Sequence, residues 1–175
     1  MAQSPASRHP SVAAAAGCPS PAHRLVPFMY VADVEATLAF YALLGFECRS
    51  ILRDKDGCAN WAWAETTSAA LHRGRAQVMF SRTGRPIVPG NQDIFFYLHS
   101  LNLKFLREHL LASGVKDGGA ATVWEVPGGV ERARRTLFGI QYPVYMPGGE
   151  FRVHDPDGYC VLIGQLDEPV HGDAS

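Results

Sequence analysis

The chain has 175 residues, of which 47% are hydrophobic, and its formal net charge at pH 7 is −1. That length predicts one domain with an ordinary core. The near balance of 16 basic and 17 acidic residues excludes the strong positive charge on which nucleic-acid binding depends. No apolar run approaches the roughly 20 residues of a membrane-spanning helix, so neither nucleic acid nor a membrane is predicted as a partner.

The cysteines and the chain ends indicate the compartment and the limits of the domain. The four cysteines match no zinc-site spacing and are too few for a disulfide framework, so we expect reduced thiols and a cytoplasmic protein. Residues 1–23 are rich in Ala, Ser and Pro, which predicts a disordered tail, with a cleavable targeting peptide as the alternative. Residues 24–166 are predicted to fold, and residues 167–175 to form a flexible C-terminus.

The first half of this region predicts one strand, one helix and three further strands. Residues 25–31 form a short apolar run, and Asp33 then offers an N-cap for a helix that Gly45 ends. Alternation and turn residues place the later strands at 47–53, 60–64 and 76–82.

The second half repeats this order with different residues. Residues 92–98 are strongly β-prone, Ser100 is the predicted N-cap of a helix that contains Leu101, and Gly114 ends that helix. Placing Asp33 over Ser100 superimposes the two halves, which indicates an internal duplication. The modules span about 24–84 and 91–166. The later strands of the second module are predicted at 121–126, 150–154 and 159–164, with an irregular insertion at 127–149.

Two segments resemble a known superfamily. VADVEATLAFYALLGFE and DPDGYCVLIG, within paired βαβββ modules, are similar to the vicinal oxygen chelate superfamily, which includes glyoxalase I, extradiol dioxygenases and bleomycin-resistance proteins. The resemblance covers about residues 25–165. It implies an α+β fold in which two tandem βαβββ modules form a curved mixed sheet, with a concave cleft and with the helices on the outer face. It also implies a homodimer whose clefts are shared between two chains.

The positions of the family's metal ligands are the next point of comparison. Metal-using members generally have His or Gln on the first strand of a module and Glu on the last. Counting seven residues back from Asp33 gives Val26, and the duplication carries this position to Asp93. Alignment on the strand at 77–80 gives Met79, and the position seven residues after the aspartate of the DPDG motif is Leu162. Only Asp93 has a ligand oxygen, and one carboxylate holds a catalytic divalent ion weakly. We therefore predict no metal and no other cofactor, as in the bleomycin-resistance branch, whose members sequester a drug without altering it.

Strand alternation predicts the side chains that line the cleft, because successive strand residues point to opposite faces. Aromatic rings in such a cleft stack on flat ligands, and a few charges, among which Glu150 is a further candidate, orient them. For the two tryptophans the alternative is packing in a core or a subunit interface, and for the aspartate it is a solvated strand end. The predicted ligand-binding residues are Phe28, Tyr30, Trp61, Trp63, Met79, Asp93, Phe95, Tyr97, Arg152, His154 and Leu162.

Three functions are consistent with this sequence. The first is metal-independent binding of an aromatic or amphipathic small molecule, for sequestration or transport. The second is a glyoxalase- or dioxygenase-type lyase or isomerase, either metal-free through His154 and Asp93 or with a metal held by ligands that the count misses. The third is a structural domain whose aromatic face closes a dimer. The 127–149 insertion is predicted as a lid over the cleft or an arm onto the partner.

Overall fold

The structure, a computed structural model, describes residues 25–67, 75–88, 95–120 and 134–166. These residues form two helices and nine strands, arranged in a four-stranded and a five-stranded sheet. This confirms the α+β class and the tandem modules, and it shows one sheet in each module. No helix in the described ranges is long and apolar enough to cross a membrane.

The first module follows the predicted order of elements. Asp33 caps the helix, since its carboxylate accepts hydrogen bonds from the backbone N–H groups of Glu35 and Ala36 at 2.9 and 3.0 Å. Gly45, at φ +84°, adopts the left-handed conformation that ends a helix. The sheet order is β1-β4-β3-β2, with β1 parallel to β4. The elements are β1 (Phe28–Val31), α1 (Val34–Leu43), β2 (Phe46–Arg53), β3 (Ala59–Thr66) and β4 (Gln77–Arg82).

The second module has the sheet order β5-β9-β8-β7-β6. Strands β6 and β7 were not predicted, because two residues are too few to show alternation. The predicted strand 121–126 and residues 127–133 of the insertion lie outside the described residues, and β7 lies within the remainder of that insertion. The elements are β5 (Phe95–Ser100), α2 (Leu103–Ala112), β6 (Lys116–Asp117), β7 (Thr136–Leu137), β8 (Glu150–His154) and β9 (Cys160–Gln165).

The helix cap of the second module corrects a prediction. Asn102, not Ser100, is the N-cap of α2, and its side chain accepts a hydrogen bond from the backbone N–H of Phe105 at 3.1 Å. Ser100 is the last residue of β5, where it pairs with Gln165, and Leu101 precedes the helix. Serine and asparagine are about equally good caps, so propensity alone did not choose between the two positions.

This correction also changes how the two modules superimpose. When Asp33 is placed over Asn102, the two N-caps coincide, and Gly45 then falls over Gly114 without any gap. Both glycines have a positive φ, of +84° and +81°, directly after their helices. The duplication is therefore in register from cap to glycine, and the placement of Asp33 over Ser100 was two positions too early.

The helices cover one face of each sheet. Helix α1 packs on β2, β3 and β4, and α2 packs on β7 and β9. In β1 the side chains of Met29 and Val31 are buried in this core, whereas Phe28 and Tyr30 are 50% and 58% exposed on the other face. We call the two sheet surfaces that face away from the helices the open faces.

The turn before β9 ties the two modules together. The Asp157 carboxylate accepts hydrogen bonds from the backbone N–H of Ala32 at 3.1 and 3.2 Å, and the Tyr159 hydroxyl donates to the Tyr30 carbonyl at 2.9 Å. Within the turn, Oδ1 of Asp155 accepts from the backbone N–H groups of Asp157 and Tyr159, both at 2.9 Å. Asp155 is fully buried, and this burial raises its pKa to about 7.

Candidate functional site

Five of the predicted site residues lie together on the open face of the first sheet. Phe28 pairs with Met79, which pairs with Trp63, so the three side chains form one row across β1, β4 and β3. Tyr30 and Trp61 occupy the next row, and the rings of Phe28 and Tyr30 meet edge to face with centroids 5.7 Å apart. The alternate residues of β3 are buried alanines, so both tryptophans point away from the helix side.

A charged cluster borders this aromatic surface at the end of β3. The buried carboxylate of Glu65 accepts hydrogen bonds from Arg49 at 3.1 Å, Arg75 at 2.6 Å and Gln77 at 2.8 Å. The hydrogen bonds from Gln77 and Arg75 lower the pKa of Glu65. Sequence reasoning did not find this cluster, because its members meet only through the pairing of β2, β3 and β4.

Two polar atoms beside the cluster lack hydrogen bonds to the described part of the chain. They are the indole N–H of Trp63 and the side-chain carbonyl oxygen of Gln77, and both are buried. A buried polar group without a partner costs free energy, which a ligand with a matching donor and acceptor would recover.

The open face of the second sheet brings together the other predicted residues that the structure describes. Tyr97 pairs with Leu162, which pairs with Arg152, so these three form one row across β5, β9 and β8. The row beside it contains Phe95 and His154, with Cys160 between them. Phe95 and Tyr97 are 56% and 39% exposed.

His154 was predicted to face the cleft, and it lies on this open face but is buried. Its ring meets the ring of Phe138 edge-on, with centroids 5.5 Å apart. Asp93, the residue predicted to act with His154 as an acid/base pair, lies outside the described residues.

A buried carboxylate organises the edge of the second open face. The Tyr97 hydroxyl donates a hydrogen bond to Oε2 of Glu150 at 2.7 Å, and the Tyr145 hydroxyl donates to Oε1 at 2.8 Å. Desolvation and the hydrogen bond to Glu150 raise the pKa of Tyr97, and the hydrogen bond to Glu150 also raises the pKa of Tyr145. Glu150 was predicted as a candidate charge. Tyr145 was not predicted as a site residue; it belongs to the insertion, and its hydrogen bond joins that segment to β8 of its own module.

The sheet register identifies matching positions in the two modules. The superposition of Asp33 on Asn102 also places Phe28 over Tyr97, and these two residues pair with Met79 and Leu162 respectively. Met79 and Leu162 are therefore equivalent residues on the last strands of their modules. They are the two last-strand positions that the family resemblance assigns to metal ligands.

The same register changes the residue assigned to the first-strand metal-ligand position of the second module. The counterpart of Val26 is Phe95, so the assignment of that position to Asp93 was wrong by two residues. The four positions thus contain Val26, Phe95, Met79 and Leu162, none of which has a side-chain nitrogen or oxygen. Among the described residues, no group of three or more His, Cys, Asp or Glu side chains is arranged to hold a metal ion. These side chains do not fit the divalent metal of the family.

A cavity of about 800 Å³ lies between the modules. Phe46 at the start of β2 and Leu101, Phe105 and Leu106 around α2 line it, and it extends to Tyr97. Phe105 is 66% exposed, so this cavity offers a second apolar surface with which the open faces can be compared experimentally.

Comparison with known proteins adds structural matches but no sequence match. No protein-family model and no curated protein sequence matches the chain. A bleomycin-binding protein complexed with bleomycin is 17% identical with a TM-score of 0.56, covering 83% of this chain and 100% of that one. The bleomycin-binding protein of bleomycin-producing Streptomyces verticillus, complexed with copper(II)-bleomycin, is 22% identical with a TM-score of 0.53, covering 85% and 99%.

A third match is a glyoxalase-related enzyme from Clostridium phytofermentans, which is 11% identical with a TM-score of 0.56 and covers 85% of this chain and 98% of that one. At such identities the likeness establishes the fold. The chain has the fold of these bleomycin-binding and glyoxalase-related proteins, in agreement with the fold that its sequence motifs indicated.

Proposed function

We propose that this chain binds an aromatic or amphipathic small molecule on its open faces and holds it without a catalytic metal, as a sequestering or carrier protein. The proposal is supported above all by one observation: apolar side chains occupy the four positions to which the family resemblance and the sheet register assign metal ligands. They are Val26, Phe95, Met79 and Leu162. Two of the matched structures are bleomycin-binding proteins, which is consistent with binding as the shared activity.

The exposed rings on the open faces support the same proposal. Phe28, Tyr30 and Phe95 each expose half or more of their surface, although an aromatic side chain can bury roughly 150–250 Å² on full desolvation. Phe28 and Tyr30 are neighbours on the first sheet and Phe95 lies on the second, and exposed apolar surface on an open sheet face is typical of a binding site. The polar atoms of Trp63 and Gln77 that lack partners in the described chain add a donor and an acceptor, as an amphipathic ligand requires.

We also propose that the protein is a cytoplasmic homodimer. The two aromatic surfaces lie on separate sheets, and pairing of two chains, as the family resemblance implies, would let one module from each chain enclose a ligand. The described cysteines, Cys48, Cys58 and Cys160, are free thiols, which suits a reducing compartment.

Native mass spectrometry tests metal content, bound ligand and subunit number in one measurement. We expect a dimer without stoichiometric metal, before and after exposure to Zn²⁺, Mn²⁺, Fe²⁺ and Ni²⁺. A stoichiometric metal would refute the metal-free proposal, and a monomer would refute the dimer. A copurified organic molecule recovered with its mass unchanged after incubation supports sequestration, whereas a changed mass would assign turnover and favour the lyase or isomerase alternative.

A titration with the neutral amphipathic dye N-phenyl-1-naphthylamine locates the binding surface. We expect Phe28→Ser to weaken binding roughly tenfold, because it removes an aromatic contact and its apolar area. The matched control is Phe105→Ser, which makes the same change at a ring beside the other cavity that is 66% exposed, against 50% for Phe28, and should leave the affinity unchanged. If Phe105→Ser weakens binding and Phe28→Ser does not, the dye occupies that cavity and the open face is not the site.

A further inference from the structure

Two exposed tyrosines share one buried carboxylate on the open face of the second sheet. Glu150 is only 4% exposed, whereas Tyr97 and Tyr145, which donate to its two oxygens at 2.7 and 2.8 Å, are 39% and 69% exposed. A molecule that approaches this face therefore meets the two phenol groups before it meets the carboxylate.

The direction of the two hydrogen bonds determines which hydrogen-bonding capacity the two phenols leave for a ligand. A tyrosine hydroxyl has one proton and two acceptor lone pairs. Both protons point toward Glu150, in hydrogen bonds to a carboxylate that are about twice as strong as neutral ones. A hydrogen-bond acceptor on a ligand must break one of these bonds to reach a tyrosine proton, whereas a donor on a ligand can bond to the free lone pairs of the tyrosine oxygens. Tyr97 and Tyr145 thus present acceptors only.

The arrangement depends on a glycine between the strands. Tyr97 on β5 reaches Glu150 on β8 by passing over Gly164 on β9, which pairs with Glu150. A Cβ atom at Gly164 would lie 2.7 Å from the Tyr97 hydroxyl oxygen and 2.9 Å from Cε of Met146. Three strands and the segment before β8 therefore build this group together, and a side chain at position 164 would disrupt it.

We infer that Tyr97, Tyr145 and Glu150 form a subsite that selects ligands with an alkylammonium or another cationic N–H donor over anionic ligands of the same shape. The tyrosine oxygens accept the donor's hydrogens, and the ring faces attract a cation. The buried carboxylate supplies a negative potential, which the charge of Arg152 near Tyr145 offsets in part. This inference rests on the proposed function, because it names the class of ligand that the open face binds.

Two probes with one aromatic body separate the effect of charge from that of shape. 1-Pyrenemethylammonium and 1-pyrenecarboxylate are titrated at pH 7.5 and their dissociation constants are measured by fluorescence anisotropy. We expect the ammonium probe to bind about tenfold more tightly to the wild-type protein, in proportion to one or two charge-assisted hydrogen bonds. Arg152 lies on the same face, two residues along β8, so the diagnostic quantity is the ratio of the two constants and its change on substitution.

The variants are chosen to keep the shape of the subsite. Tyr97→Phe and Tyr145→Phe each remove one hydroxyl, and Glu150→Gln removes the charge, so each should lower the preference for the ammonium probe several-fold. Tyr142→Phe is the matched control, since it makes the same change at a tyrosine of the same segment that is 62% exposed, and it should leave the ratio unchanged. Circular dichroism checks each fold. If Glu150→Gln does not fold, Tyr145→Phe at the exposed edge still gives the answer.

The outcomes separate this inference from the function on which it rests. Equal binding of the two probes to the wild-type protein, or a ratio that Tyr97→Phe and Tyr145→Phe leave unchanged, would overturn the subsite while aromatic binding on the open face stands. Failure of both probes to bind would overturn the subsite and the proposed function together.

Discussion

Replacing Asp155 with asparagine should flatten the pH dependence of the protein's stability. Asp155 is fully buried at the junction of the modules, its Oδ1 accepts two backbone hydrogen bonds, and its Oδ2 has no partner among the described residues. Desolvation raises its pKa from 3.8 to about 7 in the folded state. The folded protein therefore holds this proton more tightly than the unfolded chain does. The resulting stabilisation is complete below pH 3.8 and is lost as the pH rises through about 7.

The size of the effect follows from the shift. A change of about 3 pKa units at roughly 1.36 kcal/mol each amounts to about 4 kcal/mol across the whole window. Between pH 5 and pH 8 the part that is lost is about 2.5 kcal/mol, which corresponds to roughly 5–10 °C in Tm for a domain of this size. Asparagine keeps the Oδ1 acceptor but has no charge to desolvate. Burial also raises the pKa of Asp157, so a dependence in the same direction persists in the variant.

Urea unfolding followed by tryptophan fluorescence at pH 5 and pH 8 measures this difference. We expect the free energy of unfolding of Asp155→Asn, relative to the wild type, to rise by about 2.5 kcal/mol between the two pH values. Asp56→Asn is the control, because it makes the same change in an exposed turn and should follow the wild type. If Asp155→Asn also runs parallel to the wild type, Asp155 is not the group whose burial sets the pH dependence.

Three further predictions concern single positions. Gly164→Ala should lower the free energy of unfolding by about 1–3 kcal/mol and weaken binding of the ammonium probe, because the new Cβ atom would collide with the Tyr97 hydroxyl. Gly84→Ala is the control: its Cβ atom would meet nothing within 4 Å, so thermal unfolding should be unchanged. Asn102→Ala should cost about 1 kcal/mol in urea unfolding, and Ser100→Ala less; the reverse order would restore Ser100 as the cap. Burial raises the pKa of Cys160 to about 11, so this thiol should resist iodoacetamide at pH 8 in the folded protein, while the exposed Cys48 and Cys58 react. Peptide mass mapping measures the order of modification, and Cys160 reacting as early as the exposed cysteines would contradict the prediction.

The element order could be predicted from the sequence because local signals mark it. Asp33 satisfies backbone donors at the start of α1, and Gly45 adopts the left-handed conformation at its end, so cap and stop residues frame the helix whatever it packs against. Alternation also placed Phe28 and Tyr30 on the open face and Met29 in the core, since a strand has no other way to arrange successive side chains.

The predicted start of α2 was wrong because it depends on how far the preceding strand continues its pairing. Ser100 is held in β5 by its pairing with Gln165 on a distant strand, so the helix starts two residues later than its capping chemistry suggested. That error moved the counterpart of Val26 from Phe95 to Asp93. A slip of two residues keeps each side chain on the same face, so the face assignments were correct although the metal-position assignment was not.

The tyrosine–glutamate group was beyond the reach of sequence reasoning for a related reason. Tyr97 and Glu150 are separated by a whole strand, and they meet only because the residue between them is Gly164. No local pattern reports a side chain that is missing on a neighbouring strand. Tyr145 lies five residues before Glu150 in an irregular segment, where no periodicity predicts which way a side chain points.

Phe28 and Tyr97 occupy one structural position in two copies of the same module. Two identical copies would offer a ligand the same surroundings at both ends and would accept it in either orientation. Here one copy presents a phenyl ring among apolar and indole side chains, and the other presents a phenol tied to a carboxylate. If the proposed ligand lies between one copy of each kind, the two ends of the pocket differ in chemistry, and we expect an asymmetric molecule to bind there in a single direction.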